Sequence, residues 1–125
     1  LNGKWADGFC PMGPCLVTAD EIPDVQNLKM TLKVNDEVRQ SANTGRMIYA
    51  VADIVSFLSH LMTLEPGDVI CTGTPSGVGV ATGNFLKAGD RIECTIEHLG
   101  TLTNTLGDRP TRFYEPLAEP TDRSP

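Results

Sequence analysis

The alternation of apolar and polar residues predicts a protein built mainly from short β-strands. Residues 28–34 and 91–97 alternate with a period of two, which is typical of half-buried strands. Asn35-Asp36 predicts a hairpin turn after the first of these strands, because both residue types tolerate positive φ. A polar strand over residues 37–41 would return from that turn, and residues 101–106 would pair with the later strand.

A different period predicts one main helix, at about residues 50–62. Its apolar stripe follows the helical spacing and consists of Val51, Ile54, Val55, Leu58 and Leu61. The short apolar runs at 15–18 and 69–71 predict two further strands, of which the second would be buried. The predicted class is therefore mostly β, within α+β, with one helix lying on a rolled sheet.

The stretch from 63 to 79, TLEPGDVICTGTPSGVG, organises the rest of the chain. A proline-glycine turn leads into the apolar run, and residues 72–79 then hold three glycines, one proline and three hydroxyls. Small residues let a backbone approach a ligand closely, and exposed N–H and hydroxyl groups suit a carboxylate, an enolate or a phosphate. The alternative is a tight turn that binds nothing. The spacing matches neither GxxxxGK[ST] nor a GxGxxG that opens a helix, which disfavours nucleotide binding.

Composition narrows the range of partners. The chain has 125 residues and 40% apolar content, enough for one domain, and its formal charge of −6 disfavours nucleic acid and anionic membranes. No run of 18 apolar residues predicts a membrane span. The four cysteines lack zinc-site spacing, and we expect reduced thiols in a cytoplasmic protein. Residues 1–107 would form the domain, and the proline-rich residues 108–125 would form an extended or disordered tail.

An ordered series of blocks resembles the fumarylacetoacetate hydrolase superfamily, C-terminal part. The blocks begin with Gly3-Lys4-x-x-Asp7-Gly8-Phe9 and continue through Asp20-Glu21-Ile22-Pro23-Asp24, Asn43-Thr44, Thr72-Gly73-Thr74-Pro75 and Gly100-x-Leu102-x-Asn104. The branch that is most similar contains 2-hydroxyhepta-2,4-diene-1,7-dioate isomerases, acylpyruvate hydrolases and oxaloacetate decarboxylases.

This resemblance implies a rolled mixed β-structure of the fumarylacetoacetate hydrolase C-terminal type, packed as a homodimer. It also implies action on small 2-oxo or 3-oxo acids, in the catabolism of aromatic or carboxylic acids. Mg²⁺ or Mn²⁺ would chelate the substrate and stabilise its enolate before hydrolysis, isomerisation or decarboxylation. Lys4 matches the lysine that polarises the substrate carbonyl, a task that suits a compact ammonium group. Thr74 matches the threonine that meets the substrate carboxylate, with Gly73 and Pro75 beside it.

The metal ligands of the family are acidic residues that precede the lysine segment, and here Lys4 is the fourth residue. We therefore expect the chain to be the C-terminal part of a family member, with no metal ligands of its own and no catalytic metal bound alone. The alternative function is a non-catalytic, truncated module that dimerises or binds a small carboxylate without metal.

Overall fold

Four antiparallel strands form the centre of the fold. The structure is a computed structural model that describes residues 8–108. The strands are β1 (Lys29–Val34), β2 (Glu37–Asn43), β3 (Arg91–Ile96) and β4 (Gly100–Thr105), and they pair in the order β2-β1-β3-β4. Helix α1 (Val51–Leu61) and the short α2 (Gly79–Thr82) lie between β2 and β3. Short 3-10 turns occur at Ala19–Glu21 and Thr44–Arg46. A sheet with one main helix confirms the predicted fold class.

The predicted hairpin turn is confirmed between β1 and β2. Asn35 and Asp36 have φ values of 48° and 69°, the left-handed conformation that a two-residue hairpin turn requires. The Asn35 side chain also connects the turn to β3, because Nδ2 donates to Asp90 Oδ1 at 2.7 Å and Oδ1 accepts from the Arg91 N–H at 2.8 Å. Hydrogen bonds from the Lys87 backbone N–H and from Asn35 hold the pKa of Asp90 below its ordinary value.

One face of the sheet is apolar and carries the core. Leu28 and Val34 are the buried apolar residues among residues 8–108. The register places Leu32 beside Gln40 on β2 and Cys94 on β3. Between Leu32 and Lys33 the register of β1 against β2 shifts by one residue, which leaves Arg39 unpaired in a β-bulge. The glycine-rich loop contacts β2 at this bulge.

The start of helix α1 is held by side chains. Gln26 Oε1 accepts from the Val51 N–H at 2.6 Å, and Gln26 Nε2 donates to the Thr44 carbonyl at 3.1 Å. Asp53 in the first turn accepts from the Ala50 N–H at 3.3 Å. These bonds satisfy backbone donors that have no partner within the helix. The helix predicted at 50–62 is therefore confirmed within one residue at each end.

Two predicted strands are wrong. Residues 69–71 and 15–18 form no strand, and Val69 and Leu16 are 64% and 96% exposed. An apolar, β-branched sequence becomes a strand only when a neighbouring strand offers a free edge and a packing surface. In the part of the chain that the structure describes, none of the four strands pairs with either segment. The predicted tail at 108–125 lies outside the described residues except for Asp108.

Within residues 8–108, every helix is too short or too polar to cross a lipid bilayer.

Candidate functional site

A cavity of about 490 Å³ separates the glycine-rich loop from the end of β2 and the start of α1. Residues 72–76 form the wall on the loop side. The opposite wall runs from the last residues of β2 through the 3-10 turn to helix α1. Its lining residues are Ser41, Ala42, Asn43, Thr44, Arg46, Met47, Ile48, Tyr49 and Ile54, and Met30 and Ile96 come from the sheet.

Gln40 connects the loop to the sheet. Its side chain is 9% exposed, and its Nε2 donates to Thr74 Oγ1 at 3.0 Å and to the Pro75 carbonyl at 2.9 Å. The two hydrogens of the amide nitrogen serve these two acceptors. The loop is therefore held at its centre, at the residue that the sequence singles out.

Gly77 brings the loop into contact with the β-bulge. A Cβ at this position would overlap the Arg39 carbonyl oxygen and would lie 3.1 Å from Gln40 Cγ. Farther along, the Asn84 amide faces the Arg39 guanidinium, which can only donate, so we assign the amide atom 2.8 Å from Nη2 as the oxygen. The backbone contact at Gly77 and the hydrogen bond at Asn84 thus hold the chain on β2 beyond Pro75.

The loop residues of the predicted site all line the cavity. Gly73, Thr74 and Pro75 stand in sequence along its wall, and Thr74 is exposed. An added Cβ on Gly73 would meet no atom within 4 Å, so the space beside it is open. Lys4 lies outside the described residues, and its place beside this loop stays a prediction.

The opposite wall is fixed by its own hydrogen bonds. The Thr44 hydroxyl accepts from the Leu28 N–H at 2.9 Å and donates to the Val25 carbonyl at 2.8 Å. Asn43 Oδ1 accepts from the Gly45 N–H at 2.8 Å, which caps the 3-10 turn. Because these polar groups are engaged, the turn holds Arg46 at the cavity with little freedom of its backbone.

The chemistry of the lining suits an anion. Among the described residues, its polar side chains are hydroxyls, an amide, the Tyr49 phenol and the Arg46 guanidinium, and none is a carboxylate. Over residues 8–108, His, Cys, Asp and Glu side chains do not gather in threes that could hold a metal ion. Mg²⁺ and Mn²⁺ need several hard oxygen ligands, usually with carboxylates among them, so the described residues do not fit such a cation. Hydroxyl, amide and guanidinium donors instead match a carboxylate or an enolate.

The sequence and the site together agree with one family. Residues 1–107 match the fumarylacetoacetate (FAA) hydrolase C-terminal family. The chain belongs to this family. The predicted family is therefore confirmed, and it covers the loop, β2 and the sheet.

Several relatives of this family are hydrolases or tautomerases. The human mitochondrial oxaloacetate tautomerase FAHD2A is 50% identical over 106 residues, which are 83% of this chain and 34% of that protein. The fumarylacetoacetate hydrolase of Exiguobacterium antarcticum is 44% identical with a TM-score of 0.82, over 86% of this chain and 39% of that one. Maleylpyruvate hydrolase from Sphingobium sp. SYK-6, in complex with manganese(II) and pyruvate, is 41% identical with a TM-score of 0.74, over 79% and 36%. The chain spans about a third of the length of the curated relatives that it matches.

Sequence reasoning missed Gln40 as a site residue, since residues 37–41 read as a polar returning strand. A signal was present, because Gln40 shares the phase of Val38 and Ala42 and so belongs to the apolar side of β2. A polar residue in an apolar phase needs a partner when it is buried. Here the partners are Thr74 and Pro75.

Proposed function

We propose that the chain holds the carboxylate and the developing enolate of a small 2-oxo or 3-oxo acid, as the C-terminal portion of a family hydrolase, isomerase or decarboxylase. The observation that supports this proposal is the cavity lined by the Thr74 loop and Arg46, where the polar side chains that residues 8–108 contribute include no carboxylate. In this proposal Thr74 and the adjacent Gly73 and Pro75 meet the substrate carboxylate. Lys4 polarises the carbonyl and stabilises the oxyanion that forms on it.

The relatives support a reaction that passes through an enolate. An oxaloacetate tautomerase and a maleylpyruvate hydrolase both act on compounds with a ketone next to a carboxylate. Removal of a proton or cleavage of a C–C bond beside that ketone leaves charge on its oxygen, where a cation or hydrogen-bond donor lowers the barrier. We infer that this chain's substrate belongs to the same chemical class.

The proposal assigns a divalent metal to members of the family and not to this chain alone. The Sphingobium structure holds manganese(II) with pyruvate, whereas the residues described here do not supply a carboxylate site. We propose that this chain alone binds no catalytic Mg²⁺ or Mn²⁺. Calorimetric titration with Mn²⁺ should show no saturable binding, and micromolar affinity that a carboxylate substitution removes would contradict the proposal.

Pyruvate binding tests the site without requiring turnover. Titration of the isotope-labelled chain with pyruvate should most strongly shift the amide resonances of the cavity lining, on the loop at residues 72–74 and 76 and on the opposite wall around Arg46. Thr74→Val should weaken binding about tenfold or more, because a hydrogen bond to a charged group is lost, while Thr74→Ser keeps the hydroxyl and most of the affinity. Absence of saturable shifts with the native chain would refute the oxo-acid site.

Turnover separates this function from a second candidate. Oxaloacetate and an acylpyruvate should be assayed with and without Mg²⁺ or Mn²⁺. If the chain is active, Lys4→Ala should lower kcat by about two orders of magnitude or more, and unchanged turnover would refute the role of Lys4.

The second candidate, a non-catalytic module that binds a carboxylate or dimerises, is favoured by the lack of carboxylates around the cavity in the described residues. Pyruvate binding without any turnover would select it. Sedimentation would test the predicted homodimer. The human relative is mitochondrial, and a cytoplasmic location stays a prediction for this chain.

A further inference from the structure

We propose that Gln40 is a positioning residue that makes the Thr74 hydroxyl a hydrogen-bond donor toward the cavity, so that the site selects ligands with oxygen acceptors. This inference rests on the proposed oxo-acid site. In this inference Gln40, a buried residue of β2, controls the contact that Thr74 makes with a ligand.

The orientation of the Gln40 amide follows from its partners. A peptide carbonyl can only accept, so the atom 2.9 Å from the Pro75 oxygen must be the amide nitrogen. An oxygen in its place would bring two acceptors together inside a nearly buried contact, which is unfavourable. The same nitrogen therefore also donates to Thr74 Oγ1, at 3.0 Å.

The orientation of the Thr74 hydroxyl follows in turn. Its oxygen already accepts a hydrogen from Gln40, and its own hydrogen needs an acceptor elsewhere. Gln40 Oε1 lies 3.4 Å away, a long and weak alternative for an O–H donor. A carboxylate or enolate oxygen in the cavity offers a stronger, charge-assisted bond to that hydrogen. A ligand group that can only donate gains nothing at this position.

The contacts also show that Gln40 acts through the loop. It is absent from the cavity lining, whereas Thr74 and Pro75 both belong to it. The bulge at Arg39 places Gln40 opposite Leu32, on the apolar face of the sheet. Its amide is therefore held by packing as well as by its two hydrogen bonds.

Gln40→Glu reverses this arrangement with a minimal change of shape. At pH 7.5 the carboxylate can only accept, so it takes the Thr74 hydrogen and repels the Pro75 oxygen. The Kd of pyruvate, followed by amide shifts, should rise about tenfold or more. Burial raises the pKa of the new carboxyl above the ordinary Glu value, so affinity should recover in part as the pH falls toward 5, where the protonated acid donates again. A purely structural role for Gln40 does not predict this pH profile.

Asn104→Asp is the matched control. Asn104 is a half-buried amide on β4, at the opposite edge of the sheet from β2, and it does not line the cavity. This variant should keep the native affinity and lack the recovery at low pH. It carries the same change of charge, so it separates the local contact from a general electrostatic effect.

A double-mutant cycle tests whether Gln40 acts through Thr74. In a Thr74→Val background, Gln40→Glu should raise the Kd of pyruvate by a smaller factor than in the native chain, because the hydroxyl that it reorients is gone and only the repulsion of the Pro75 oxygen remains. Equal fold-changes in both backgrounds would overturn the inference. If Gln40→Glu fails to fold, Gln40→Met fills similar space and donates nothing, and it should weaken binding about threefold or more.

The outcomes distinguish the two proposals. Native affinity in folded Gln40→Glu or Gln40→Met overturns the role of Gln40 and leaves the site intact. No pyruvate binding by the native chain overturns the site, and the role of Gln40 is overturned with it. Weak binding by the Gln40 variants with a non-additive cycle supports both.

Discussion

Gly77→Ala tests the contact on which the position of the loop depends. Gly77 has a φ of +106°, and an added Cβ would overlap the Arg39 carbonyl oxygen and lie 3.1 Å from Gln40 Cγ. Backbone atoms of a paired strand cannot yield as a flexible side chain can. We therefore expect the loop to lift from β2, and the hydrogen bonds from Gln40 to Thr74 and Pro75 to break.

The expected magnitude has two parts. Alanine at this positive φ costs about 1–3 kcal/mol by backbone strain. Loss of two hydrogen bonds adds about 0.5–1.5 kcal/mol for each. Gly67→Ala provides a matched control, because Gly67 has a φ of +104° and an added Cβ there would meet no atom within 4 Å. Both variants carry this backbone strain. The difference between their free energies of unfolding, about 1–3 kcal/mol, therefore measures the effect of the close approach alone.

Urea denaturation measures this difference as a change in the free energy of unfolding. NMR locates it, because the resonances of the Gln40 side-chain amide, which donates to Thr74 and Pro75, should shift in Gly77→Ala and stay in place in Gly67→Ala. Pyruvate affinity should fall in Gly77→Ala and be kept in Gly67→Ala. If Gly77→Ala is no less stable than Gly67→Ala, the loop does not depend on its contact with Arg39, and the argument for the site geometry fails.

Three further predictions concern the frame around the site. Thr44→Val should lower the free energy of unfolding by about 1–3 kcal/mol in urea titrations, since the N–H of buried Leu28 loses its acceptor, whereas Thr44→Ser should retain most of the stability. The pKa of Asp90 is lowered in the folded state, so its ionised form stabilises the fold above its ordinary value of 3.8, and this contribution is lost as the pH falls below it. Stability measured between pH 7 and pH 3 should fall less steeply in Asp90→Asn than in the native chain. Burial raises the pKa of the Cys94 thiol, so it should react with Ellman's reagent more slowly than the other three cysteines, which are exposed; one common rate would contradict this.

Local patterns predicted the elements whose cause is local. The helix at 50–62 follows from the spacing of its apolar residues, and the hairpin follows from Asn35 and Asp36, which adopt the positive φ that the turn needs. The pairing of β1 with β3 could not be predicted in this way, because more than 50 residues separate the two strands. The runs at 69–71 and 15–18 failed for the same reason, since their β-propensity is real but a partner strand is a property of the whole fold.

The candidate site was likewise predicted in part from local sequence, while the rest became clear only from the fold. The sequence of residues 72–79 identifies the loop, since glycine, proline and hydroxyl residues occur together there. Gln40 shares the phase of Val38 and Ala42, which indicates the apolar side of β2, but the bulge at Arg39 separates the environments of Gln40, which is buried, and Val38, which is 53% exposed. A strict alternation would have given both the same environment. The phase therefore indicated that Gln40 is buried, whereas its partners in the loop could be identified only from the fold.

The charge distribution around the cavity has a physical reason. A carboxylate of the protein within about 4 Å of a bound oxo-acid carboxylate would repel it by about 4 kcal/mol at an effective dielectric constant near 20. That repulsion exceeds what the Thr74 hydroxyl contributes, so an acidic residue in this lining would prevent binding. The cavity in the described residues instead combines hydroxyls with Arg46 and contains no acid. Groups that hold a cation and groups that hold an anionic ligand thus have opposite requirements, and the wall built by β2, the turn and the loop meets only the second.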